Sequence, residues 1–258
     1  MTQGYLVMAQ GEQYARQAEH LARSISKTQS GVNNLSVITD CDVDVSVFDQ
    51  VIKLTTDLRP DSDWKIENRV QFYNLTPYDE TVILDSDMLF LSDVSHWWKY
   101  LNNYELFLTN KVKTFRGEWV SEQNPYRRAF TTHNLPNVYS AFTYFKKTQL
   151  TTDFFELVKQ IVLNWEQWIN RYTPHYIQKF PSIDLAMSIA VSIMGIEDQV
   201  TSDDSFPTFT HMKAQLQGWK HKTERWEDLI GIYQTDTEIK LGPYKQSGIL
   251  HYVKKDFV

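Results

Sequence analysis

Two rhythms of apolar residues alternate along the first third of the chain. Tyr5-Leu-Val-Met-Ala9, Leu35-Ser-Val-Ile-Thr39, Gln50-Val-Ile-Lys-Leu54 and Thr81-Val-Ile-Leu84 are short runs of strand length. After Gly11, residues Tyr14, Ala18, Leu21, Ala22 and Ile25 recur at helical spacing, so the opening reads strand, turn, helix. Ile66, Val70, Tyr73 and Leu75 predict a further helix that Pro77 ends. Thr81–Leu84 is apolar on both faces, as a buried parallel strand requires. Strands alternating with helices predict an α/β sheet.

Further on, Glu105–Thr109 and Ala141–Lys146 are predicted strands. Thr152–Asn170 reads as one long amphipathic helix opened by a Thr-Asp cap, and Ser182–Ile196 as an apolar helix. Two late strands, Thr208–His211 and Gly248–Val253, each carry a histidine. Between Asn110 and Asn137 regularity fades, and Lys111, Lys113, Arg116, Arg127 and Arg128 accompany Trp119 and Tyr126, as expected of an excursion over the active face. Trp97-Trp98 is expected against the sheet edge, and Cys41, Trp165 and Trp168 in the core. Arg127-Arg128 and Lys220-His-Lys222 are expected on the solvated surface, where each offers charge to an anionic acceptor.

Composition narrows the function classes. With 258 residues, no repeat of fixed period and no Gly/Ser-rich linker, one domain is expected. A hydrophobic share of 42% excludes wholesale disorder. The 26 basic against 32 acidic side chains leave a formal net charge of −6, which excludes a chain whose whole surface grips nucleic acid. The longest apolar-leaning uncharged stretch, Leu185–Ile196, falls short of the ~20 residues of a membrane-spanning helix. A single cysteine excludes an internal disulfide and suits a reducing compartment, so a cytoplasmic location is expected.

The chemistry concentrates at Asp85-Ser-Asp87, which interrupts an otherwise apolar run from Val82 to Leu91. Carboxylates are costly to bury without compensation, and a divalent cation supplies it. In extended chain, residues i and i+2 share a face, so Asp85 and Asp87 converge while Ser86 points away. Oxygen ligands suit Mg²⁺ or Mn²⁺, ions that also bind substrate phosphates. The competing reading is an ordinary surface turn or helix cap.

Arg69-Val-Gln-Phe-Tyr-Asn-Leu-Thr-Pro-Tyr78, followed by Thr81-Val-Ile-Leu-Asp-Ser-Asp-Met-Leu-Phe-Leu-Ser-Asp93, resembles the helix and metal strand of retaining GT-A glycosyltransferases related to glycogenin and the bacterial lipopolysaccharide galactosyltransferases. The opening Leu6–Ala15 is similar to their first strand and loop. The likeness covers about the first 95 residues and is patchy beyond them. It implies a Rossmann-like, mainly parallel mixed sheet flanked by helices. The whole chain would form one such domain, with a nucleotide-binding half at 1–95 and an acceptor-binding half at 96–258.

The same resemblance implies a metal-dependent retaining transferase of hexosyl or pentosyl groups that uses a nucleotide sugar, with a UDP-sugar expected. Ala9, Gln10 and Tyr14 would contact the base, although periodicity alone also places Tyr14 on the buried face of its helix. Arg69 would meet the sugar-phosphate region, and Asp85, Ser86 and Asp87 the diphosphate and its cation. The third metal ligand is a late-strand histidine followed by a lysine: His251 with Lys254 or Lys255 fits best, and His211 with Lys213 competes. Asp184, at a helix start, would orient sugar hydroxyls or stabilise an oxocarbenium-like sugar, or else serve only its helix dipole. The family's Asn at the turn before a strand is Tyr139 here, and its glutamine after the helix-start Asp is absent.

A glycan is the expected acceptor, docked on Asn110–Asn137, with a modified DNA base second. Two other classes compete. In haloacid-dehalogenase-like phosphatases Asp85 would be the nucleophile, Asp87 the acid/base and Asp203-Asp204 metal ligands, but that strand normally opens its domain and here about 80 residues precede it. A non-catalytic carbohydrate- or DNA-binding module is the other. Oligomeric state has no sequence signal.

Overall fold

The computed structural model describes residues 1–61, 65–120, 125–175, 180–202, 206–212, 229–235, 238–252 and 257. Strand β1 (Gln3–Ala9), helix α1 (Glu12–Thr28), β2 (Leu35–Thr39) and β3 (Gln50–Lys53) follow the apolar rhythm closely. Ile66–Gln71 forms a 3₁₀ stretch that runs into a single turn, α2 (Phe72–Leu75), before β4 (Glu80–Leu84). The predicted helix at 66–75 is therefore mostly the tighter 3₁₀ form, which buries Glu67, Asn68 and Val70. After β4 come β5 (Met88–Phe90), α3 (Trp97–Leu101), β6 (Leu106–Thr109), α4 (Pro125–Thr132) and β7 (Tyr139–Lys146).

These strands build a six-stranded sheet in the order β3-β2-β1-β4-β7-β6. β1 to β4 run parallel, and β7 pairs antiparallel with both β4 and β6. This is the mainly parallel mixed sheet the sequence predicts. Strand order reverses between β1 and β4, because β2 and β3 build outward on one side of β1 and β4 lies on the other. In open α/β sheets a crevice forms at such a switch point, outside the carboxyl ends of the strands.

Pleating sends alternate residues to opposite layers. Tyr5, Val7 and Ala9 pack with α1 and α3, while Leu6 packs on the other face with the helices that follow β7. Trp97 and Trp98 are both buried there, as expected, and Trp98 Nε1 donates to Tyr5 Oη at 3.0 Å. On the opposite face lie α5 (Gln149–Leu163), α6 (Trp165–Tyr172), α7 (Ile183–Met194) and α8 (Glu197–Val200). The expected single helix at 152–170 is thus two. It starts earlier, on a capping box between Thr148 and Thr151, and breaks at Asn164, whose side-chain Nδ2 donates to the Gln160 carbonyl at 2.9 Å in competition with the backbone. Trp165 is buried, whereas Trp168 is only partly covered. α7 is capped by Ser182, ends at Gly195 in the left-handed region (φ 66°), and is buried along most of its length.

A second, three-stranded sheet leans on the first: β5 and β8 (Thr210–His211) flank a late strand, β12, at Ile249–His251. Between them in sequence, β9 (Ile232–Gln234), β10 (Ile239–Leu241) and β11 (Tyr244–Lys245) form a small antiparallel sheet. Among the described residues no helix is long and apolar enough to cross a membrane. Cys41 departs from expectation. It sits partly exposed in the turn after β2, where its thiol donates to Asp40 at 3.0 Å and that bond pushes its pKa up.

Candidate functional site

The switch point between β1 and β4 carries the chemistry. β1 delivers Gln10 and β4 delivers Asp85 to one cleft of about 290 Å³, lined also by Tyr14, Lys65, Arg69 and Asp87. Asp85 and Asp87 occupy a turn between β4 and β5, not an extended run, yet the turn still brings both carboxylates together. β12 lies antiparallel to β5 with His251 opposite Met88, the residue after Asp87. His251 Nε2 thereby reaches 2.9 Å from Asp87 Oδ1 and 3.7 Å from Asp85 Oδ2. One ligand atom from each of these three residues falls within 4.8 Å of the others. Two carboxylates and an imidazole are a donor set that suits a divalent cation.

Each ligand has a partner behind it. Arg69 ion-pairs with Asp85 Oδ1 and leaves Oδ2 facing His251. His211 lies opposite His251 in the parallel β8–β12 ladder, and their Nδ1 atoms are 3.2 Å apart. The two histidines singled out as competitors therefore share one cluster, with His251 against the carboxylates and His211 behind it. The Tyr252 amide donates to the Asp87 carbonyl at 3.0 Å. Burial, reinforced by the charge of Asp87, pushes the Tyr252 hydroxyl pKa up.

At the other end of the cleft, Asn68 is fully buried and donates to Gln10 Oε1 at 3.1 Å and Asp57 Oδ1 at 2.7 Å. With the Lys65 ammonium and the Arg59 amide also donating to it, Asp57 has its pKa lowered to about 2. This network fixes the Gln10 amide so that Nε2 is buried without a hydrogen-bond partner. A buried donor left open in a cleft is a place for an acceptor atom of a ligand. Tyr14 is 43% exposed, so it belongs to the cleft and not to the buried stripe of α1. Ala9 is fully buried and its methyl packs in the core, which withdraws its side chain from the base-contacting set. Ser86 is buried as well and donates to Gln17 of α1 at 3.4 Å, so its hydroxyl is directed at the helix.

Asp184, in the first turn of α7, is held from two sides. Oδ1 accepts from the Ser140 amide at 2.8 Å and the Ser140 hydroxyl at 2.6 Å, and Oδ2 pairs with Arg127 at 2.5 Å. Burial opposes its ionisation, but the Arg127 charge and the Ser140 hydrogen bonds outweigh that effect, and its pKa falls below the usual aspartate value. The charge of Arg69 contributes in the same direction, which places Arg69 within electrostatic reach of both Asp85 and Asp184.

Arg127 corrects the surface assignment. It is buried, donates to the Val138 carbonyl at 2.7 Å, and stacks its guanidinium 3.6 Å from the centre of the Tyr139 ring. Tyr139, which stands where the resembling family has Asn, is thus the plate on which the Asp184 partner rests. Only the neighbouring Arg128 keeps the exposed position expected of the pair. Lys213, Lys254, Lys255, the Asp203-Asp204 pair and Lys220–Lys222 lie outside the described residues. The sequence alone pointed to neither Asn68 nor Lys65. Asn68 sits beside Arg69 in an otherwise ordinary amphipathic stretch, and only its full burial marks it.

The class these features define is a GT-A-like glycosyltransferase fold. Among solved structures, the chain is similar to the bifunctional glycosyltransferase WbbM in its apo form, at 13% identity over 78% of this chain and 38% of that one, with a TM-score of 0.50. It is also similar to the glycosyltransferase GlyE of Streptococcus pneumoniae TIGR4, at 14% identity over 78% of this chain and 46% of that one, with a TM-score of 0.47. The chain spans less than half the length of each. No protein-family model matches the sequence, and no curated protein matches it.

Proposed function

We propose that the protein is a metal-dependent, retaining glycosyltransferase that takes a sugar from a UDP-sugar and passes it to a glycan. The observation that carries this reading is the convergence of Asp85, Asp87 and His251 at the β1/β4 switch point, beside a cleft with an open amide donor on Gln10 and an exposed ring on Tyr14. The phosphatase alternative is not favoured, since the fold is that of glycosyltransferases and Arg69 already engages the Asp85 carboxylate that would have to attack. The 1–258 chain acts as one unit, because β7 completes the sheet beside β4 and β12 completes the acidic cluster beside β5.

Asp85, Asp87 and His251 would hold Mn²⁺ or Mg²⁺, with His211 orienting the His251 ring. When bound, the cation supplies charge to offset that developing on the diphosphate leaving group. Arg69 adds a fixed positive charge on the same side, and Gln10 and Tyr14 hold the base, with Tyr14 stacking on it. Asp184, within electrostatic reach of Arg69, would act on the donor sugar. Its two oxygens already accept three hydrogen bonds, including one from a guanidinium, so it is a poor nucleophile but a persistent negative charge. That suits stabilisation of an oxocarbenium-like sugar while the acceptor attacks from the same face as the departing diphosphate.

The test is Asp87→Ala. Mn²⁺-dependent hydrolysis or transfer from a panel of UDP-sugars should fall by a factor on the order of 10² or more, with an unchanged circular dichroism spectrum. Full activity of the variant in chelator-treated buffer would sink the metal assignment.

A further inference from the structure

A second cavity, of about 500 Å³, lies on the small sheet and takes no part in the cleft just described. Its walls come from three separated segments: the turn around Lys113 to Gly117, the start of β8, and residues 243–249 leading into β12. These walls are tied together. The Lys113 amide donates to the Phe209 carbonyl at 3.0 Å, and the His211 amide to the Lys113 carbonyl at 2.7 Å. Buried Gln246 donates from Nε2 to the carbonyls of Phe115 at 2.9 Å and Tyr244 at 3.0 Å.

Three cations, Lys113, Arg116 and Lys245, line this cavity, and among the described residues none of its lining is acidic. Glu238 is shared between Lys240 at 2.7 Å and Lys245 at 3.3 Å and so offsets one charge. Aromatic rings flank the cations. Lys113 Nζ lies 4.8 Å from the centre of the Trp119 ring, and Trp119 and Tyr244 are 47% and 42% exposed. Both rings are exposed beside cations in a protein of net charge −6. Such rings present flat apolar faces, while lysine and arginine supply donors for oxyanions.

We propose that this cavity is the acceptor subsite and that it takes an anionic sugar, one carrying a phosphate or a carboxylate. The assignment as acceptor rests on the transferase reading above. Its position agrees: Thr210 of the cavity wall immediately precedes His211, and Ile249 precedes His251 by two residues, a rise of only ~7 Å along a strand. A half-open pocket of this size with three cations fits one or two sugar residues, whereas nucleic acid calls for a longer track of phosphate contacts.

The experiment measures calorimetric binding of glucose 6-phosphate, glucuronic acid and neutral glucose to the full chain, with UDP and Mn²⁺ present at saturation so that the donor cleft is filled. At least one anionic sugar should bind on the order of tenfold more tightly than glucose, and the Arg116→Gln/Lys245→Gln double variant should lose about that factor. UDP affinity should be unchanged in that variant, and Tyr244→Ala should weaken all three sugars. Absence of anionic preference, or binding indifferent to the double variant, overturns the proposal. So does a short duplex DNA that binds through the same two cations with steep salt dependence while the sugars do not compete. Failure of UDP and Mn²⁺ to bind would instead strike the donor reading, a separate result in the same titrations.

Discussion

Replacing Arg127 by leucine tests the most unusual contact near the site. The side chains of Arg127 and Asp184 are only 7% and 18% exposed, and the substitution leaves a carboxylate with its Ser140 hydrogen bonds but without its ion-pair partner, with Arg69 acting on it only at longer range. Removing one member of a buried pair costs ~3–5 kcal/mol, and the residual exposure of Asp184 puts the expected loss at the lower end, about 3 kcal/mol. Loss of the guanidinium stack on Tyr139 adds roughly 0.5–1 kcal/mol. For a chain of this length the sum is a fall in Tm of roughly 7–16 °C by scanning calorimetry. The double variant Arg127→Leu/Asp184→Asn should recover a large part of the loss, because the buried charge is gone and an amide still accepts from Ser140.

Acidity supplies an independent check on the same pair. The folded-state pKa of Asp184 lies below its ordinary value of 3.8, so the stability contributed by the pair is present above that value and is lost as pH falls through the folded one. In the leucine variant burial acts with less opposition and Asp184 takes up its proton earlier on acidification. The stability gap between wild type and variant should therefore be widest near neutrality and close in acid. A loss below about 1 kcal/mol, the size of an exposed salt bridge, would refute the buried-pair account. So would a double variant less stable than the single one.

Tyr14→Ala should weaken UDP binding about tenfold, the loss of one base–aromatic stack, with Tm essentially unmoved because the ring is largely solvent-facing; unchanged affinity in a fluorescence titration would remove Tyr14 from the site. Gly4→Ala should destabilise by ~1–3 kcal/mol in urea, since a Cβ there would stand 2.3 Å from the Tyr78 ring, whose hydroxyl is anchored to Ser36 at 2.7 Å and Asp49 at 3.1 Å. A neutral result would mean that Tyr78 swings aside at little cost.

The parallel half of the sheet was legible because β1, β2 and β4 are buried on both faces and so read as mainly apolar runs without strict alternation, a signal that needs no tertiary knowledge. The acidic pair was legible for the complementary reason: charge inside such a run has to be compensated. Arg127 was not. A buried arginine and a solvated one look the same in sequence, and what buries this one is the approach of Val138, Tyr139 and Asp184 from three other elements or loops. The break at Asn164 escaped for a local reason, since apolar periodicity runs through it and the interruption is a side-chain-to-backbone hydrogen bond. The choice between His211 and His251 could not be made from spacing, because it depends on which strand pairs with β5.

The order in which the chain is synthesised gives the β5–β12 ladder a kinetic meaning. β12 is the central strand of its sheet and the last strand described, yet its partner β5 lies about 160 residues earlier, at Met88–Phe90. Loop closure over so long an interval is slow compared with the local pairing of β1, β2 and β4. The acidic cluster has its histidine only where β12 lies paired between β5 and β8. A chain in which that long-range ladder has not formed lacks the imidazole of the acidic cluster, although the parallel pairing of β1 with β4, which leads into Asp85, needs no part of β12.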